Sequence, residues 1–284
     1  MVAPTSTKSN DPEAEPALSA IGRGRSAADR SRAIEATRFG LIAAVLVVWE
    51  GLVRAGWWDA GFISSPSLII AKLAMWVASG YLWPQVLVTL EEVAIGFALG
   101  LVAAIGAGFA LGRNAFLAGV FEPMLAALNA VPRIVLAPLL ILWFGIGVES
   151  KVALTFLMVF FVVVFAVLNG IREVNQALVQ NARILGATER QLDRFIYFPA
   201  ALTWIFGSLR LAIGFGFSAA IVGEFLLSSR GLGYLLNAAQ NAFDATSMMA
   251  ALVTLMAIIG VLTYLAGRIE RRASLWKTTA GSDR

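Results

Sequence analysis

Residues 180–199 read QNARILGATERQLDRFIYFP, a polar and charged island between two long apolar runs. Locally the stretch predicts two short helices with a break between them. The first runs from Val174 to Leu185, and Gly186 supplies the left-handed residue that commonly ends a helix. Thr188 with Gln191 three residues on has the spacing of a capping box, which starts the second helix. That helix is expected to end before Pro199, because the residue ahead of a proline is pushed out of helical space. Pro199 then suits the first turn of the next helix, where its missing N–H leaves nothing unsatisfied. A helix-turn-helix set between two membrane spans has the shape of a docking element.

The composition explains why the flanking runs must be spans. Of 284 residues, 59% are hydrophobic and 14% charged, against about 25% charged in a soluble domain. Several nearly uncharged runs approach or exceed the roughly 20 residues that cross a bilayer. The fold class is therefore an all-α polytopic membrane protein with six transmembrane helices. The chain holds no Cys and no His, which removes most metal sites, thiol nucleophiles and histidine bases and excludes a zinc or Ser-His intramembrane hydrolase. The net charge of +4 gathers beside the spans, so it speaks for membrane topology and against nucleic acid as a partner.

In chain order, residues 1–36 mix Ser, Ala, Pro and Gly with both signs of charge and show no apolar period, so they read as a disordered cytoplasmic tail. The transmembrane domain covers 37–270, with spans at about 37–54, 85–112, 122–147, 151–170, 200–227 and 247–267, a cytoplasmic loop at 172–199 and a tail at 271–284. Between the first two spans Trp57, Trp58, Trp76, Tyr81 and Trp83 form an aromatic belt, and Ser67 to Ala78 reads as a helix along the surface. The second span carries Gly96, Gly100, Ala104, Gly108 and Gly112 at intervals of four, a stripe that admits another backbone closely, either within the bundle or across a dimer. Glu91 and Glu92 on the same span are either interfacial or buried. The third span holds Pro123, Pro132 and Pro138 and is expected to be kinked or discontinuous, as are helices bordering a transport path. The fifth carries Arg210 and Glu224, charges that by default face inward or snorkel from the ends.

Basic residues set the orientation. With both termini in the cytoplasm, the inside holds six Lys/Arg through Arg38, then Arg113, four from Arg172 to Arg194 and five from Arg268 onward, 16 in all. Outside stand Arg54, Lys72, Lys151 and Arg230; with Arg133 and Arg210 unassigned, this accounts for all 22. The excess places the 172–199 loop in the cytoplasm.

The loop resembles the EAA loop of ABC importer permeases. Ala182, Gly186, Ile196 and Pro199 stand at that motif's intervals, while Gln180 replaces its Glu, Asn181 its first Ala and Phe198 its Leu. Val131-Pro132-Arg133 through Leu139-Leu140-Ile141-Leu142-Trp143-Phe144-Gly145-Ile146-Gly147, then Gly207-Ser208-Leu209-Arg210 and Glu224 followed by Gly231-Leu232-Gly233, resemble the nitrate, sulfonate and taurine permeases of that family. The resemblance, over about Gln85 to Trp276, implies a type I importer permease in the plasma membrane that carries no ATPase site or cofactor of its own. Its implied partners are two cytoplasmic ATP-binding subunits, an extracytoplasmic solute-binding protein and a second permease subunit, as in a homodimer. The implied coupling residues are Gln180, Asn181, Ala182, Arg183, Leu185, Gly186, Ala187, Thr188, Gln191, Ile196, Phe198 and Pro199. Pro132, Arg133, Pro138, Arg210 and Glu224 are candidates for the translocation path, the arginines suiting an anion.

No P-loop sequence occurs, so energy must come from a partner ATPase or an ion gradient. A gradient-driven carrier is the alternative; it would carry inverted repeats and intramembrane carboxylates poised for coupling, beyond Glu224 and Glu91, Glu92 and Glu122. An intramembrane enzyme lacks the residues for its chemistry.

Overall fold

The computed structural model describes residues 14–278, with side chains over 32–271, and among them it contains helices and turns but no strand. The described chain divides between Asp59 and Ala60 into two units. The first holds a single helix, α1 (Ala14–Arg54), whose portion Arg32–Arg54 is long and apolar enough to cross a membrane. Residues 14–36, expected to lack structure, thus lie in this helix, while 1–13 fall outside the described residues. Alanine and arginine are the commonest residues of that stretch, and both favour helix.

The second unit opens with α2 (Ala60–Ile63) and α3 (Pro66–Ala78), the latter capped by Ser65 with Pro66 in its first turn. Then come α4 (Leu82–Arg113), α5 (Ala115–Ala130), α6 (Ala137–Phe144) and α7 (Val148–Arg172). The loop helices α8 (Gln176–Ile184) and α9 (Glu189–Leu192) follow, then α10 (Phe198–Leu227), α11 (Leu232–Asn241) and α12 (Ala245–Thr278). Helices α4, α7, α10 and α12 each have the length and composition of a span.

The hub is α7. Its sequence is apolar all round, the pattern of a helix covered on every side, and Val159, Val163, Val164 and Val167 are fully buried between α4 and α10. The small-residue stripe of α4 lies directly on it. A Cβ at Gly96 would come within 2.6 Å of Thr155, at Gly100 within 2.9 Å of the Phe156 carbonyl, at Gly108 within 2.6 Å of Val167 and at Gly112 within 2.6 Å of Ile171. The stripe is intra-bundle packing along the whole contact, as close helix approach in a bilayer requires.

The third span is broken more sharply than a kink. Helix α5 starts at Ala115 because Asn114 caps the amides of Phe116 and Leu117, so this apolar element begins seven residues before position 122. It stops at Val131, held extended ahead of Pro132. A 3-10 turn, Arg133–Leu136, leads into α6 at an angle of 84° to α5. Pro123 sits inside α5 without ending it. Counted as one span, the pair brings the total to six.

At the end of the bundle away from the 172–199 loop, buried polar groups join four elements. The Glu224 carboxylate of α10 accepts from Thr89 Oγ1 (2.6 Å) on α4 and from the Gly233 amide (2.6 Å) at the start of α11. Thr89 in turn accepts from the Leu232 amide, and Gln85 from the Gly231 amide. The Lys151 ammonium, also buried, donates to the Ile146 and Gly147 carbonyls and reaches that of Leu227. Glu92 is buried beside Glu224 while Glu91 is exposed, so the two adjacent acids separate onto different faces. On the same side the α2–α3 link and α3 itself tie to the start of α12, the first through Ser64 and Thr246 (2.8 Å) and the second through Lys72 and Asp244 (3.4 Å). Asp244 loses solvation by burial, but the hydroxyl and amide of Ser247 and the Lys72 ammonium outweigh that and hold its carboxyl below the ordinary aspartate range.

Candidate functional site

The 172–199 loop is a built turn. Asn175 caps α8 by accepting from the Ala177 amide. Two bonds close its other end: Gly186 N–H to the Arg183 carbonyl (2.9 Å) and Ala187 N–H to that of Ala182 (3.0 Å). This is the Schellman pattern, and it requires the left-handed residue that Gly186 provides with φ of +86°. Thr188 and Gln191 form the reciprocal capping box at the start of α9. Leu192 and Val179 turn inward and anchor the loop on the core that contains Val167, Tyr197 and Ala201.

The second loop helix does not end before Pro199. It widens into a π-helical turn, Asp193–Tyr197, and continues as α10. In that turn the Phe198 amide reaches back to the Asp193 carbonyl. The wider ring leaves room for Pro199 in the first turn of α10, where no donor is missed. The path from Glu189 to Leu227 is thus one continuous helical run, which joins the loop to the fifth span.

A contact with no signal in local sequence holds the loop to the membrane helices. Arg113, the last residue of α4, donates to Glu189 and to Asp193 and lies 4.1 Å over the Tyr197 ring. Arg183 bonds the same Glu189 (2.9 Å) from α8. The partners are 76 and 80 residues apart in sequence, beyond any helical spacing. These charges brace the loop, although Glu189 and Arg183 stay exposed at its surface.

Among the exposed polar residues of the loop stand three large apolar side chains. Ile184 is 83% exposed and Leu185 87%, at the end of α8, with Phe195 67% exposed beside them. Between the two loop helices runs a groove of about 380 Å³ whose walls include Ala182, Leu185, Gly186, Ala187, Gln191 and Phe195. Gln180 and Asn181 are exposed on α8; Ile196 and Pro199 are partly covered where the π-helical turn enters the bundle, while Phe198 is exposed. All twelve residues singled out in the loop thus fall on one compact element.

The candidates for the translocation path do not come together. Pro132 makes the break in the third span, and Arg133 follows it into a cavity of about 690 Å³ between that break, α7 and α10. Pro138 starts α6 and is exposed. Arg210 points away from this cavity and pairs with Glu270 of α12 (3.2 Å). Glu224 has both carboxylate oxygens engaged in the buried network described above.

Residues 96–274 match the profile of the family described as "Binding-protein-dependent transport system inner membrane component". The chain is 36% identical over 235 residues to the riboflavin transport system permease protein RibX of Chloroflexus aurantiacus, covering 83% of this chain and 88% of that one. It is 30% identical over 243 residues to the taurine transport system permease protein TauC of Escherichia coli, covering 84% and 88%. In fold it is similar to a chain of the inward-facing MetNI methionine ABC transporter, with a TM-score of 0.60 and 21% identity over 68% of this chain and 95% of that one. The helical bundle, its broken third span and its braced loop thus belong to a binding-protein-dependent transport system inner membrane component, the family of multi-pass plasma-membrane permeases of ABC importers.

Proposed function

We propose that this permease is one of two identical subunits that form a solute path driven by two cytoplasmic ATP-binding subunits and fed by an extracytoplasmic binding protein. Residues 172–199 are its coupling element, both termini lie in the cytoplasm as the charge count requires, and the solute is a small organic anion of the sulfonate or taurine kind. The observation that carries this reading is the exposure of Ile184 and Leu185 on a turn fixed by a Schellman motif, a capping box and Arg113. A rigid, water-facing loop tip with two almost fully exposed aliphatic side chains suits insertion into a partner's cleft, where each buried side chain contributes about 1.5–3 kcal/mol. The continuous helical run from Glu189 to Leu227 then transmits movement of that cleft to the fifth span.

Co-purification of an ATP-binding subunit by wild type and Leu185→Asp tests this. The leucine touches little of its own fold, so the variant is expected to fold normally and to lose at least tenfold in ATPase association. Equal retention of the ATPase by both proteins overturns the coupling assignment.

A further inference from the structure

The cavity beside Pro132 has a chemistry of its own. Asn129 closes one side, and α7 presents Phe161, Phe165 and Asn169 at intervals of four along one wall, with Glu173 at the end. Trp204, Ser208 and Leu211 of α10 form the opposite wall. From Phe161 to Glu173 is about 18 Å of helical rise, so the space is a trench that runs along α7 toward the 172–199 loop. Its volume of about 690 Å³ lies in the range of small-molecule sites, about 300–1,000 Å³.

Two charged groups line the trench, at opposite ends. Glu173 already accepts from Trp204 Nε1 (2.5 Å) at the loop end. At the inner end the Arg133 guanidinium lies 4.9 Å from the Phe161 ring centre, and its Nη1 is enclosed without a hydrogen-bond partner. The ring attracts the cation through its face but accepts no in-plane N–H bond, and an enclosed donor on a charged group is costly to leave unpaired. The half-buried Arg133 side chain also lines the cavity, and no carboxylate among the described residues pairs with it, so an oxyanion in the cavity meets an uncompensated cation. Beyond that headgroup the walls are Phe161, Phe165, Val162 and Leu211, which reward an apolar body. Nitrate would meet the arginine and leave the walls unused; a neutral heterocycle would use the walls and leave the arginine unpaired.

We infer that this trench is a solute site for organic anions with one sulfonate or carboxylate headgroup on an apolar or aromatic body, the headgroup held by Arg133. The site deepens the importer reading and rests on it for its place in transport, although binding itself needs no ATPase. The test uses the full chain in nanodiscs, with empty nanodiscs as the lipid background, and titrates benzenesulfonate, benzenesulfonamide and nitrate by calorimetry. Wild type is expected to bind benzenesulfonate at least tenfold more tightly than either of the others. Arg133→Gln is expected to lose at least tenfold in benzenesulfonate affinity, Arg133→Lys to recover part of it, and Arg230→Gln to match wild type. Should Arg133→Gln fail to fold, Ser208→Trp, which fills the trench from α10, decides in its place by losing binding. Absence of benzenesulfonate binding to wild type, equal binding of benzenesulfonamide or nitrate, or undiminished binding to the folded trench variants overturns the inference. ATPase association of wild type is scored separately: its loss with benzenesulfonate binding intact refutes the importer reading and leaves the site.

Discussion

Gly106 and Gly108 lie two residues apart on α4, and alanine at each should act in opposite directions. A Cβ at Gly108 would stand 2.6 Å from both Cβ and Cγ1 of Val167, and 3.4 Å from the Val164 carbonyl. Carbon atoms pack best at about 3.5–4.0 Å, so α4 and α7 must separate there by about 1 Å. Because Gly96, Gly100 and Gly112 rest on the same helix, the separation cannot stay local. The typical cost of such overpacking is about 1–3 kcal/mol. Gly106 has nothing within 4 Å of its added carbon, and alanine in a helix interior is favoured over glycine by about 0.5–1 kcal/mol. Gly106→Ala should therefore match or exceed wild type in thermal midpoint, followed by tryptophan fluorescence in detergent, while Gly108→Ala falls below both. Self-association should be the same for all three proteins. Equal midpoints for the two variants, or a Gly108→Ala protein that keeps its stability and loses self-association, would refute the packing and return the stripe to a dimer face.

Three further outcomes follow from the same geometry. Glu224→Ala leaves the Gly233 amide buried without its acceptor and the Thr89 hydroxyl with only the Gln85 carbonyl; it should cost about 1–3 kcal/mol and speed hydrogen exchange over 231–241 more than elsewhere, with Glu224→Gln milder. Gly186→Ala must hold φ of +86°, a penalty of about 1–2 kcal/mol, so limited proteolysis should cut the 185–188 turn faster than in wild type, whereas Gly186→Asn should resist. Arg113→Met removes two ion pairs and the contact with Tyr197; each exposed pair is worth at most about 1 kcal/mol, so the fold should survive while ATP hydrolysis is no longer stimulated by solute.

Much of this architecture was legible because it is written in local spacing. Intervals of four among small residues predicted a close helix contact, in the bundle or across a dimer, Thr188 with Gln191 predicted the cap, and Pro123, Pro132 and Pro138 together predicted a kinked or discontinuous third span. What escaped was written in tertiary contact. Nothing near Arg113 points to Glu189 or Asp193 some 80 residues on, and nothing near Glu224 says that its partners are Thr89 and an amide of α11. Such intramembrane charges read alike from sequence, yet Arg133 lines a cavity while Arg210 pairs with Glu270, because facing depends on how neighbouring helices rotate. The π-helical turn escaped for a related reason: a proline limits its predecessor, but a widened turn absorbs that limit at no loss of a donor.

The most direct test of the central claim is solute uptake into proteoliposomes that contain the permease, its ATP-binding subunits and its binding protein. The account predicts uptake that requires ATP on the loop side, persists when proton and sodium gradients are collapsed, and disappears in Leu185→Asp. Uptake by the permease alone, driven by an ion gradient and unaffected by that substitution, would contradict it.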